Sequence, residues 1–372
     1  MKDLLTNAKL PANRRSFMKM GLAVGGAAMG SRLLAASAPT LAGSPLSSGD
    51  AAILKFLAAA ELIEADLWQQ YAELGGLTPG QLPVETAPFT PMNSYQAAFM
   101  NLDPDGPQYV SANNSDEQSH ASFLNAYLIA KGQEPVDLDV FRTLPSSQAA
   151  PAQQIGRLTN LMQLSVDTSW YTRYRSTTNP DFGATYAQAL PQLAAGQFTA
   201  IPRTNDDYNN ANHIQAIANT AAFHFASIEQ GGSSLYPTLA QKVSSVEVLK
   251  ILLSIGGDEI AHFLEWMDFS GNSVQPPVAP LTDPTNGLTF PNFDIVVNPL
   301  LQTNLIFPVQ CEFISPDLPH CAVIRPTSQG QIDAVGAANF LIGEGLFIGQ
   351  VPQFTELLLN MAHAADAAQR QV

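Results

Sequence analysis

Cysteine is nearly missing from this chain: Cys311 and Cys321 are all it has among 372 residues. Two thiols with no Cys-x-x-Cys cannot build a structural zinc site. Basic residues are also scarce, 17 against 32 acidic ones, for a net charge of -15. That charge repels nucleic-acid phosphates and anionic membranes, which excludes both as partners. There is no Gly-x-Ser-x-Gly elbow, no glycine-rich phosphate loop, and no cysteine near a histidine in a nucleophile pattern. Those absences argue against the common hydrolase and nucleotide-binding chemistries. Beyond the N-terminus no run is long and apolar enough to span a bilayer. What remains is 46% apolar and only 13% charged, a globular composition with length for one large domain or two ordinary ones.

The first 42 residues read as a processing segment. Asn13-Arg14-Arg15-Ser16-Phe17-Met18-Lys19 precedes a short Gly/Ala-rich apolar run, Met20 to Gly30, and then small residues around Ala38 and Ala42. This closely resembles a twin-arginine export signal. The resemblance implies the twin-arginine export machinery as a partner, transport of an already folded protein, and a periplasmic or other extracytoplasmic destination. In that compartment the plain reading of Cys311 and Cys321 is a disulfide.

Four long segments carry apolar seams with alternating steps of four and three, the mark of a helix burying one stripe. The first, about Ser48 to Leu74, has Ser47 or Ser48 as N-cap and Gly75-Gly76 beyond. Its seam is Ile53, Leu57, Ala60, Glu64, Leu67, Tyr71 and Leu74. The second, Pro107 to Lys131, has Val110, Asn113, Glu117, His120, Leu124 and Tyr127. The third, Tyr208 to Tyr236, has Ala218, Ala222, Phe225, Glu229, Gly232 and Tyr236; Gly231, Gly232 and Pro237 should make its end irregular. The fourth, Ser245 to Phe269, starts with a capping-box pattern of Ser244 and Glu247. It carries Val248, Leu252, Ile255, Glu259, His262 and Trp266. Further helices are expected near Ser94 to Asn101, Ala152 to Arg175, Ser328 to Leu346 and Pro352 to Arg370. A short strand is expected at Phe293 to Val297.

At the centre of each seam, acids and imidazoles replace Leu or Ile: Glu64, Glu117 with His120, Glu229, and Glu259 with His262. Burying one unpaired carboxylate costs several kcal/mol. Four at one level demand neutralisation, and two divalent cations would supply it. A Glu-x-x-His pair sets both side chains on one helix face, one turn apart, within reach of one ion. Oxygen and nitrogen donors together suit two iron or manganese ions, and zinc fits the same set. Glu64 is preferred to Glu61, one turn earlier, because Leu57, Ala60 and Leu67 align with it. His224 faces away from Glu229 and reads as packed or surface. His213, His320 and His363 read as surface residues.

Asp116-Glu117-Gln118-Ser119-His120 and Asp258-Glu259-Ile260-Ala261-His262 resemble the ferritin-like domain family that includes desiccation-related and stress-response proteins. The likeness covers roughly residues 49–270. It implies an all-α fold, a ferritin-like four-helix bundle with long insertions and a mixed, partly irregular C-terminal extension. Residues 43–271 would form the bundle. Residues 272–372 would either pack on it or make a contact in a homo-oligomer. By the same likeness Asp116 and Asp258 support histidines on the partner helix. The implied activity is that of an oxidase- or peroxidase-type oxidoreductase in stress protection. The alternative is a non-catalytic structural or stress-protective envelope protein that reuses the bundle.

Overall fold

The computed structural model describes residues 45–77, 90–175, 186–293, 308–311, 314–323 and 333–371. The expected export signal, 1–42, lies outside them, as does most of the strand expected at Phe293 to Val297. The described residues are mostly helical, an all-α architecture with only short strands. No described helix is long and apolar enough to cross a membrane.

The four seam segments all form helices. α1 is Ser48–Gly75; the Ser47 hydroxyl accepts from the Asp50 amide at 3.0 Å and fixes its start. α2 is Ser94–Leu102 and α3 is Gly106–Ala130, with Pro107 in its first turn. Two short helices follow, α4 (Ser169–Arg175) and α5 (Pro191–Ala195). α6 is Ala211–Ala240 and α7 is Val246–Gly271. α8 (Ala334–Gly343) and α9 (Pro352–Asp366) close the chain. α1 packs along α3 and α6 along α7, and α9 lies against α1.

α6 corrects one expectation. It runs without a break through Gly231, Gly232 and Pro237. Pro237 forfeits one helical hydrogen bond, but only one turn remains beyond it and the surroundings hold that turn. Nearly all of α6 is buried, its small residues letting neighbouring chain approach from every side. The start of α7 is a second correction: Ser245 is the cap, accepting from the Glu247 and Val248 amides. Ser244 and Ser245 instead donate their amides to the two oxygens of Asp50, which ties the starts of α1 and α7 together.

The helix expected over Ala152 to Arg175 forms only from Ser169. Upstream the backbone is drawn into long-range bonds. Asp66 on α1 accepts from the Leu158 and Thr159 amides and the Thr159 hydroxyl, and pairs with Arg142 at 2.7 Å. Leu144 bridges Arg157 and Leu164 bridges Phe198, both antiparallel. After α7 come two antiparallel two-residue ribbons, β1 (Leu281–Thr282) with β2 (Thr289–Phe290), and β3 (Pro308–Val309) with β4 (Cys321–Ala322). The expected disulfide is absent. Cys321 stands opposite Val309, so Cys311 is two residues out of register; Cys311 is buried and Cys321 exposed.

Candidate metal centre

Six buried side chains from α1, α3, α6 and α7 converge where the seams predicted acids and imidazoles. Glu61, Glu117, His120 and Glu259 each offer a donor atom within 4.8 Å of the others. A second quartet, Glu117, Glu229, Glu259 and His262, does the same. The quartets share Glu117 and Glu259, one from each Glu-x-x-His segment. Five of the six predicted ligands are therefore brought together: Glu117, His120, Glu229, Glu259 and His262.

Glu64 is the exception and Glu61 takes its place. Glu61 is buried, and its Oε1 accepts the phenol proton of Tyr236 on α6. Glu64 belongs to neither quartet. It lies at their margin, where burial and then the charges of Glu117, Glu61 and Glu229 push its carboxyl well above the usual range. A sequence signal for Glu61 existed: Leu54, Glu61 and Trp68 are seven apart, and both apolar neighbours are fully buried. That heptad runs beside the seam that favoured Glu64.

The two histidines point alike. Nδ1 of His120 faces inward, 3.3 Å from Glu117 and 3.4 Å from Glu61. Its Nε2 faces outward, 3.2 Å from Asp258 on α7. Nδ1 of His262 is 3.1 Å from Glu117 and 3.3 Å from Glu229, while its Nε2 is 3.4 Å from Asp116 on α3. The aspartates preceding Glu117 and Glu259 thus each contact the histidine of the opposite helix, the relation expected for Asp116 and Asp258. Such outer carboxylates fix ring orientation and leave the inner nitrogen free to donate.

The inner atoms are left without enough protons or partners. Glu61 Oε2, Glu229 Oε2, both oxygens of Glu259 and Nδ1 of His262 are buried with no hydrogen-bond partner. Native interiors rarely tolerate such orphans. Burial, followed by the charge of Glu117, raises Glu61 to about 7. Burial and the surrounding glutamates push Glu259 well up, and burial raises Glu229. Burial also acts upward on Glu117, but the imidazoles of His120 and His262 beside it outweigh it and hold that carboxyl below the usual range. Burial depresses both histidines; the carboxylates around them outweigh it and raise them. Protons are a poor substitute for cations here, because they leave donor atoms unpaired.

Three further residues were not assigned from sequence. The Asn113 side-chain amide donates to Glu117 at 2.9 Å and Glu229 at 3.0 Å, bridging two helices. Its carbonyl accepts from the Trp266 indole at 2.6 Å. Gly232 has no side chain because Glu259 occupies the space: a β-carbon there would overlap Glu259 Oε2. The glycine that looked like a helix defect is where α6 admits the Glu259 side chain from α7.

Two histidines expected at the surface or merely packed are buried elsewhere. His213 is held between Asp207 at 3.0 Å and Asp283 at 2.8 Å. His224 accepts from or donates to the Tyr71 hydroxyl at 2.7 Å. His320 and His363 are exposed, as expected.

Comparison of the chain with protein-family models, with curated proteins and with solved structures finds no match. The site therefore stands on its own geometry.

Proposed function

We propose that this chain is a ferritin-like di-metal carboxylate protein. Glu61, Glu117 and His120 with Glu259 would hold one ion, and Glu229 and His262 with the shared Glu117 and Glu259 the other. The observation that carries this reading is the pair of interlocked quartets, in which Glu61 Oε2, Glu229 Oε2, both Glu259 oxygens and His262 Nδ1 are buried and unpartnered. Four carboxylates and two neutral imidazoles balance two divalent cations and leave no net buried charge. The mixed oxygen and nitrogen set favours iron or manganese, with zinc able to bind the same atoms. When bound, such a pair supplies redox and Lewis-acid chemistry toward dioxygen or peroxide. The chain's own contribution is to exclude water, orient the histidines through Asp116 and Asp258, and hold Glu117 and Glu229 through Asn113.

The motif at Asn13 to Lys19 supports export through the twin-arginine route, which would deliver the folded protein to an extracytoplasmic compartment. An oxidase- or peroxidase-type role in stress protection is consistent with that placement. An irregular end to the third helix, as Gly231, Gly232 and Pro237 suggested, would favour the non-catalytic alternative. α6 is continuous through Ala240, so that support falls away.

Metal analysis of the purified full chain tests the reading. About two ions of iron, manganese or zinc per chain are expected, since the donors form two quartets. Replacing Glu117 and Glu259 together by Gln should bring the content close to zero. Substoichiometric metal in protein exported by its native cells would refute the proposal.

A further inference from the structure

A line of aromatic rings leads from the acidic site to a buried phenol–imidazole pair. Trp266, bonded to Asn113, stacks on Trp68 with ring centroids 5.3 Å apart and planes inclined by 24°. Trp68 lies 5.8 Å from Tyr71. All three rings are fully buried. Asn113 couples this line to Glu117 and Glu229 through its amide hydrogens.

The proton partners of the three rings differ, and that difference gives the line a direction. The Trp68 indole N–H has no hydrogen-bond partner. The Trp266 N–H meets only the amide oxygen of Asn113, a very weak base. Tyr71 alone of the three touches a base, the His224 Nδ1 at 2.7 Å. On the far side of the imidazole, Nε2 is 3.7 Å from Glu344 Oε2. Glu344 is buried and accepts from the Ser227 hydroxyl at 3.2 Å. Burial, then the Glu344 charge, pushes the Tyr71 phenol well up, so the resting group is neutral. An aromatic ring that loses an electron becomes a strong acid. Oxidation therefore settles on the ring whose proton has somewhere to go. His224 takes that proton, and Glu344 stabilises the imidazolium formed inside a medium of low polarity.

We propose that Trp266, Trp68 and Tyr71 form an electron relay ending at the Tyr71–His224–Glu344 triad, with Tyr71 as a one-electron donor to an oxidant of the peroxide class at the acidic site. The location of the oxidant rests on the di-metal reading; the relay itself does not. In each event the Tyr71 O–H bond breaks, the proton passes to His224 Nδ1, and the electron leaves over Trp68 and Trp266. A neutral tyrosyl radical remains. Two such events at one site balance one hydrogen peroxide, the Tyr71 radical being returned to the phenol between them by a hydrogen-atom donor of the phenol or thiol class from solution. The peroxide O–O bond breaks, the two electrons enter the oxygens, and the two phenol protons equal the two that the resulting waters take up.

The test has two arms on the full chain. In the first, iron-loaded protein of measured metal content is mixed with hydrogen peroxide, frozen, and read by electron paramagnetic resonance. A tyrosyl signal that changes with ring-deuterated tyrosine is expected. Tyr71→Phe should abolish it, and His224→Gln should slow its formation about 100-fold, the scale of a lost proton acceptor, with metal content unchanged. A native-amplitude signal in Tyr71→Phe, or no radical in iron-replete protein, overturns the relay. The second arm needs no metal. A flash that photoionises tryptophan in metal-free protein should give a tryptophan radical decaying into a tyrosyl radical, and Tyr71→Phe should lose that conversion. Equal decay in both proteins overturns the relay. If Tyr71→Phe does not fold, Trp68→Phe must slow the same conversion, and an unchanged rate overturns it. Protein that takes up no metal but passes the second arm refutes the di-metal reading and supports the relay.

Discussion

Stripped of metal, this protein should lose stability as the pH rises from about 4.5 to about 7, because Glu61 is raised from 4.5 to about 7 by burial. In that window the folded chain keeps a proton on Glu61 that the unfolded chain has already released. Folding then takes up a proton, and each unit of pH costs it about 1.4 kcal/mol per group. The rise of 4.5 to about 7 gives about 3 kcal/mol lost from this carboxyl alone. Glu229 and Glu259 are raised as well and add to the loss. The raised histidines act in the same direction only above their ordinary value of 6.5, since below it they are protonated in both folded and unfolded chains. A marginally stable domain has only about 5–15 kcal/mol in all, so the effect is large. Metal should reverse the trend. Its donors must be deprotonated, so binding strengthens with pH. At a hundredfold excess over Kd it adds about 2.7 kcal/mol. Urea unfolding of chelator-treated protein, followed by circular dichroism at pH values across the window, measures the slope directly. Metal-free protein whose stability stays flat or climbs with pH would refute the reasoning, because the carboxyls would then be neither buried nor starved of partners.

Gly232→Ala should weaken metal binding by about 10- to 100-fold, the scale of a disturbed outer support, because its methyl overlaps Glu259 Oε2. Gly231→Ala, with nothing within 4 Å of the new methyl, should leave binding unchanged and stabilise α6 slightly; isothermal titration with manganese separates the two. Asp66→Ala should cost about 3–5 kcal/mol in urea unfolding. It strands Arg142 and frees the Leu158 and Thr159 amides. Metal content should be unchanged in the fraction that folds, since Asp66 touches none of the six donors.

The four long helices were legible in the chain because their signals are local. Ser47 caps α1, and glycines follow α1 and α3. Apolar steps of three and four carry the helices between those ends. The two Glu-x-x-His segments were legible for the same reason: one turn of helix sets Glu117 beside His120 and Glu259 beside His262 whatever the rest of the chain does. The crossed Asp116 and Asp258 contacts follow once α3 and α7 face each other.

What sequence alone did not determine depends on contacts between residues far apart in the chain. Glu61 and Glu64 sit one turn apart on nearby faces of α1, and periodicity cannot separate them. The Tyr236 phenol, 175 residues away, engages Glu61 and decides it. Gly232 reads as a helix breaker until Glu259 is seen lying in the space it leaves. The stretch before Ser169 has helical periodicity, but Asp66 and the bridges to Leu144 and Phe198 draw its backbone into other bonds. His213 and His224 are polar by type and buried by partnership with Asp207, Asp283, Tyr71 and Glu344. Cys311 and Cys321 are near neighbours in sequence, yet one is buried and the other exposed. Local period fixes which side chains share a helix face. Only the packing of helix on helix fixes which of them meet, because that depends on axial offset and rotation, and neither is written in any one segment.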